Sequence, residues 1–174
     1  QRLVTAPLAH SGTRWEWDGV VFEVLHPLPG DDAPGVAKPP RPNALSCVLR
    51  ISAAGTEGAS ALLVGDIEAQ QEQALLARGA PVRADLLLVP HHGSKTSSSA
   101  AFLEAVQPRT ALVQAGYRNR FGHPAPDVLQ RYRARQIAVV ESSRCGAARW
   151  SSSQPGQVAC ERDTGERYWQ HRMV

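Results

Sequence analysis

Three apolar runs in this chain lead to residues able to bind a metal ion or carry a proton. "ALLVGD" ends on Asp66, "LLLVPHHGSK" carries His91 and His92, and "FGHP" places His123 shortly after "TALVQAG". Imidazole and carboxylate are donors that suit zinc, manganese or iron, and the same groups serve as general acids and bases. Their spacing is no local motif, so the chemistry depends on a fold that brings the run ends together. Each residue also has a simpler reading. Asp66 at a strand-to-helix junction is a natural helix N-cap, a histidine after proline is often only a satisfied polar group, and His123 between Gly122 and Pro124 can hold a turn. The coincidence on successive runs favours a site. His10, His26 and His171 have no such company, and structural or solvent roles are expected for them.

Pattern predicts the elements that must position these groups. Trp15, Trp17 and the residues from Val21 onward flank Asp18-Gly19, a dipeptide favoured in tight hairpins, which predicts two strands. Residues 28–43 are dense in Pro and Gly and predict a loop whose composition also suits disorder. "LSCVLRIS" and "SALLVGD" predict a second hairpin, joined by "AAGTEGA". "IEAQQEQALLARG" predicts a helix with Glu68 in its first turn and Gly79 as its stop. "ADLLLVP" has no polar alternation, as expected of a strand buried on both faces. "SSAAFLEAVQP" predicts a helix capped by a serine from Ser97 to Ser99, with Pro108 beyond its end. A strand "TALVQAG", a helix "APDVLQRYRARQ" and a strand "IAVVES" follow, and "ARW", "GQVAC" and "RYWQHRM" predict terminal antiparallel strands. The alternation over residues 61–141 predicts an α/β layered domain whose chemistry sits in loops at the carboxyl ends of strands.

A length of 174 residues fits a single domain over residues 1–174, and 43% hydrophobic with 20% charged residues excludes a disordered chain. The 19 Lys plus Arg against 16 Asp plus Glu leave +3, a surface that tolerates a polyanion without announcing one. There is no apolar run long enough to span a bilayer and no secretory signal pattern, while Gln1 in place of an initiator Met favours a piece of a longer chain. Three cysteines without CxxC spacing do not make a structural zinc site. Cys47, within "LSCVLRI", is expected to be a buried thiol. Cys145 and Cys160 flank a Gly/Ser-rich hairpin candidate, where they either face each other as a disulfide in an oxidising compartment or remain free.

"LLVGDIEAQQEQALL", "ADLLLVPHHGSKTSSSAAFLEAVQP" and "NRFGHPAPDVLQRY" resemble the C-terminal part of the metallo-β-lactamase-like domain of ComEC-type competence proteins. "GVVFEVLHPLP" and "RPNALSCVLRI" belong to the same resemblance, which covers most of the chain, with "VPHHGSKTSS" as its most specific element. The resemblance implies an α/β fold of the αββα sandwich type and two divalent metal ions, zinc or manganese, with no small-molecule organic cofactor. By the same resemblance, Asp66 bridges the metals and the late histidine ligand falls in the pair His91-His92. His92 is favoured as ligand and His91 as a supporting or phosphate-facing group. Ser94, Lys95 and His123 match positions near the cleft.

Metallo-β-lactamase-like sites also use an early His-x-His/Asp-x-Asp-His motif, and this chain has none. Either the chain is an incomplete piece lacking that region, which Gln1 favours, or the protein has lost the motif, and poor metal retention with little or no activity by itself is expected. The resemblance implies metal-dependent phosphodiester hydrolysis of the non-transported DNA strand. The implied setting is a soluble, extracytoplasmic domain of an inner-membrane channel, with DNA and the rest of the channel as partners. In that reading Asp66, His91, His92, Lys95 and His123 form the catalytic cluster, and Lys95, Arg118 and Arg120 meet phosphate. Arg131, Arg133 and Arg135 either extend that track or form a solvated helix face. The alternatives are a non-catalytic DNA-binding module and another hydrolase of the same fold, such as an esterase.

Overall fold

Asp18 and Gly19 both lie at positive φ, 50° and 72°, the backbone that a tight two-residue hairpin demands. They turn strand β1 (Arg14–Trp17) into β2 (Val20–His26). The structure, a computed structural model, describes residues 10–31, 40–53 and 58–165. Beyond β2 the sheet continues through β3 (Val48–Ala53), β4 (Ser60–Leu63), β5 (Leu86–Leu88), β6 (Thr110–Val113) and β7 (Ala138–Glu141). All seven strands lie side by side in chain order. From β1 to β4 the pairing is antiparallel, and from β4 to β7 it is parallel.

The change of direction at β4 follows from the connections. No helix longer than a 3-10 turn is described between the first four strands, whereas each later pair is joined by an α-helix: α1 (Ala69–Ala77), α2 (Ala100–Val106) and α3 (Pro126–Arg133). Successive right-handed crossovers that all step the same way put their helices on one face of the sheet. That face holds the core, in which Leu62, Val64 and Leu87 meet Leu75, Phe102, Leu103 and Tyr132, all nearly or fully buried. Each large apolar side chain so buried contributes about 1.5–3 kcal/mol.

Helix starts agree with the sequence reading. Glu68 and Gln71 form a reciprocal capping box on α1, the Ser99 hydroxyl accepts from the Phe102 N–H on α2, and Pro126 opens α3. A buried carboxylate ties two of the helices together. Glu72 of α1 is fully buried and accepts the backbone N–H groups of Ser98, at 2.5 Å, and Ser99, at 2.8 Å. The Tyr132 hydroxyl of α3 meets the Ser98 hydroxyl at 3.0 Å, and burial pushes its pKa up.

After β7 come α4 (Ser142–Cys145), a two-stranded ribbon of β8 (Ala148–Trp150) and β9 (Val158–Cys160), and α5 (Glu161–Thr164). Cys145 and Cys160 form a disulfide across it. Cys47, by contrast, is exposed and not buried. The strand begins one residue later, at fully buried Val48, so its predecessor faces outward. The expected strand "RYWQHRM", His171, most of "AAGTEGA" and the centre of the Pro/Gly-rich loop lie outside the described residues. The ends of that loop are a turn at Leu28–Asp31, where the Asp31 carboxylate accepts the Leu28 N–H, and a short 3-10 turn over Pro42–Leu45.

Candidate functional site

β4, β5 and β6 are adjacent and parallel, so the loops leaving their carboxyl ends emerge together, where α/β sheets carry their chemistry. Backbone contacts fix these loops to one another. Gly65 follows β4 at φ +52°, and a Cβ there would come 3.1 Å from the Ser46 Cβ. The Asp66 N–H donates to the Ser46 hydroxyl at 3.1 Å, and the Gly65 carbonyl accepts the His91 N–H at 3.0 Å. After β5, His91 and His92 both adopt left-handed backbone, at φ 48° and 56°. That costs about 1–2 kcal/mol for each non-glycine residue and is sustained by surrounding contacts. The Gly93 carbonyl accepts the Ala125 N–H at 2.9 Å, which binds this turn to the loop after β6.

The two histidines differ in what their nitrogens do. His92 Nδ1 lies 2.7 Å from the Gln114 carbonyl, which can only accept, so Nδ1 carries the proton and donates it. In the neutral ring Nε2 then keeps its lone pair, 3.4 Å from Asp66 Oδ1. Two acceptors facing each other call for a proton or a cation between them. His91 is held at both nitrogens: Nε2 lies 3.4 Å from the Asn43 amide nitrogen, which can only donate, and Nδ1 lies 3.3 Å from Glu68 Oε1. The Thr96 hydroxyl donates to the same Glu68 oxygen at 3.1 Å. His92 therefore has the nitrogen suited to an incoming cation, with a carbonyl orienting its ring as outer partners of metal-bound histidines do.

His123 reaches the cluster from the third loop, its ring centroid 6.1 Å from that of His91. Asn119 brackets it, accepting the His123 N–H and donating to the His123 carbonyl. Its Nδ1 is buried without a hydrogen-bond partner among the described residues, and desolvation, then the neighbouring His91 and His92, hold its pKa below the usual value. Lys95 is exposed on the histidine loop. Arg118 and Arg120 are exposed on the His123 loop, each guanidinium over the ring beside it, Tyr117 at 5.2 Å and Phe121 at 4.8 Å. Two helix arginines are engaged elsewhere. Arg131 donates to the Ser97 and Ser98 carbonyls, and Arg135 pairs with Glu104 at 2.8 Å.

Asp66, His91, His92 and His123 thus come together as their places at strand ends predict. Glu68, Asn43 and Asn119 join them without any sequence signal beyond the place of Glu68 at a helix start. The donor set is small. Asp66 and His92 offer two donors to one point, and among the described residues no group of three His, Cys, Asp or Glu side chains could hold a metal ion. These residues fit one edge of a metal shell and do not by themselves fit a two-metal centre.

No family model matches the chain. Similarity to individual proteins is clear: it is 36% identical over 160 residues to "Competence protein ComA" of Neisseria gonorrhoeae, a match covering 91% of this chain and 22% of that protein. That relative is named as a competence protein. "ComE operon protein 3" of Bacillus subtilis is 36% identical over 129 residues, covering 74% of the chain and 15% of the relative. "Uncharacterized protein YcaI" of Escherichia coli is 34% identical over 163 residues, covering 92% and 20%. The chain spans about a fifth of the length of the competence-related and other curated relatives it matches.

Proposed function

We propose that this chain is part of a metallo-β-lactamase-like domain in a DNA-uptake protein, and that its strand-end cluster is part of a site acting on the DNA backbone. The observation that carries this reading is the pairing of His92 Nε2 with Asp66 at 3.4 Å, on loops of adjacent parallel strands, in a chain similar to competence proteins. Asp66 and His92 are the proposed metal-binding pair, and His91 is a supporting group held by Glu68 and Asn43. Exposed Lys95, Arg118 and Arg120 supply positive charge for phosphate. His123, whose pKa desolvation holds below the usual value, is the proposed proton acceptor beside the cluster. The αββα sandwich and its pair of zinc or manganese ions belong to this reading, with the further donors coming from the longer protein. The Cys145–Cys160 disulfide supports an oxidising, extracytoplasmic setting for the domain, beside the rest of the membrane channel.

The test uses the full-length protein in a transformable cell. Asp66→Ala or His92→Ala is expected to abolish degradation of the non-transported strand. Unchanged degradation in both variants, with the protein present at normal level, overturns the assignment. For this chain alone, incubation with plasmid and manganese or zinc is expected to leave the DNA intact.

A second reading has an observation of its own. Two donors and an arginine-bearing loop also suit a DNA-binding module without catalysis. That module would bind DNA in a salt-dependent manner, indifferent to chelator and to His92→Ala.

A further inference from the structure

The loop after β6 has a feature that phosphate contact does not use. From Gln114 to Ala125 it contains two arginines, one histidine and no acidic residue, with two aromatic residues interleaved. Asn119 clamps the tip from inside, its amide donating to the carbonyls of Gly116 and His123 while its oxygen accepts the His123 N–H. The clamp leaves Tyr117 43% and Phe121 67% exposed, far more than an apolar ring normally shows. Phe121 lies nearly parallel to His123, at an interplanar angle of 19° with centroids 5.9 Å apart, and so runs from the strand-end cluster outward. Arg120 over Phe121 and Arg118 over Tyr117 set a cation over each ring.

We infer that Tyr117 and Phe121 form a base-stacking platform that selects single-stranded DNA and feeds it to the His91–His92–His123 cluster. The inference rests on the DNA reading above and names the form of DNA it takes. Charge fixes the occupant: a loop with arginines and no acid complements a polyanion, and flat exposed rings need flat unpaired partners. In a duplex the base faces are already stacked on each other, whereas a single strand offers them freely. Each guanidinium lies over its ring, and a base that takes its place there leaves the arginine free to turn to the phosphate of the same nucleotide.

The experiment measures fluorescence anisotropy of a labelled oligo(dT) and of a duplex of equal length, titrated with this chain in the presence of chelator. The single strand is expected to bind more tightly. Phe121→Ala and Tyr117→Ala are each expected to weaken single-strand binding by about fivefold to a hundredfold and to collapse the preference over duplex. Phe121→Trp should keep both. Arg118→Gln and Arg120→Gln should weaken single strand and duplex alike and reduce the salt dependence. Alanine variants that bind single strand as the parent does, alongside weakened arginine variants, overturn the platform and leave the DNA reading standing. A parent chain that binds neither form overturns both. Because Phe121 faces solvent, circular dichroism of its alanine variant should match the parent.

Discussion

Gly93 packs so closely on Pro124 that a Cβ added to it would lie 2.6 Å from the proline Cβ. This contact locks the histidine turn to the loop that carries His123, and Gly93 also sits at φ +83°, where a side chain is strained. Gly93→Ala should therefore destabilise the chain by more than the roughly 1 kcal/mol of the conformational term alone, since Pro124 must move as well. Urea unfolding gives the value. A loss under half a kcal/mol would mean that the two loops are not held by this contact.

The buried Glu72 carboxylate satisfies two backbone N–H groups at the start of α2. Glu72→Ala leaves both without a partner in the interior and should cost about 2–5 kcal/mol. Glu72→Gln retains one acceptor oxygen and should cost less. Thermal melts of the three proteins check the order, and an alanine variant as stable as the glutamine variant would contradict it.

Acid should weaken the fold through His123. Its folded pKa is held below the ordinary 6.5 by desolvation and by His91 and His92, so the unfolded chain binds the proton first. The stabilising difference is fully present above pH 6.5 and is lost as pH falls through the lowered folded value. His123→Gln should flatten this part of the stability profile between pH 7.5 and 5 without reversing it. Imidazole NMR titration provides the direct check, and a His123 resonance titrating above 6.5 would refute the assignment.

The Cys145–Cys160 bridge closes a sequence separation of 15 residues, for which chain-entropy reasoning gives about 3 kcal/mol. Reduction, or Cys145→Ser with Cys160→Ser, should lower the midpoint of denaturation accordingly. Protein taken from the cell without reductant should react with a thiol reagent at exposed Cys47 and, until reduced, at neither bridge cysteine. Labelling at all three before reduction would remove the argument for an oxidising compartment.

Local chemistry made much of the fold legible. Asp18-Gly19, the Ser99 cap and the Gly79 stop act on their own neighbours, and each element they bound lies where pattern predicts. The site was legible in outline, because apolar strands deliver their following residues to one end of a parallel sheet. What eluded pattern depends on contacts between distant residues. Asn43 meets His91 across 48 positions, Glu72 meets Ser98 across 26, and Arg131 meets Ser97 across 34, so none leaves a local trace. Cys47 eluded it for a different reason: Val48 takes the inward place, and alternation turns the residue before it outward.

The left-handed backbone of His91 and His92 sets stability against chemistry at both positions. The His91 main chain is tied to the loop after β4 through the Gly65 carbonyl and the Gly93 main chain to the loop after β6 through Ala125, so removing an imidazole should not dismantle the frame. Glycine there would relax the backbone, and the variant that folds best would be the one that has lost its imidazole. Selection for thermal stability alone should therefore replace this pair with glycine.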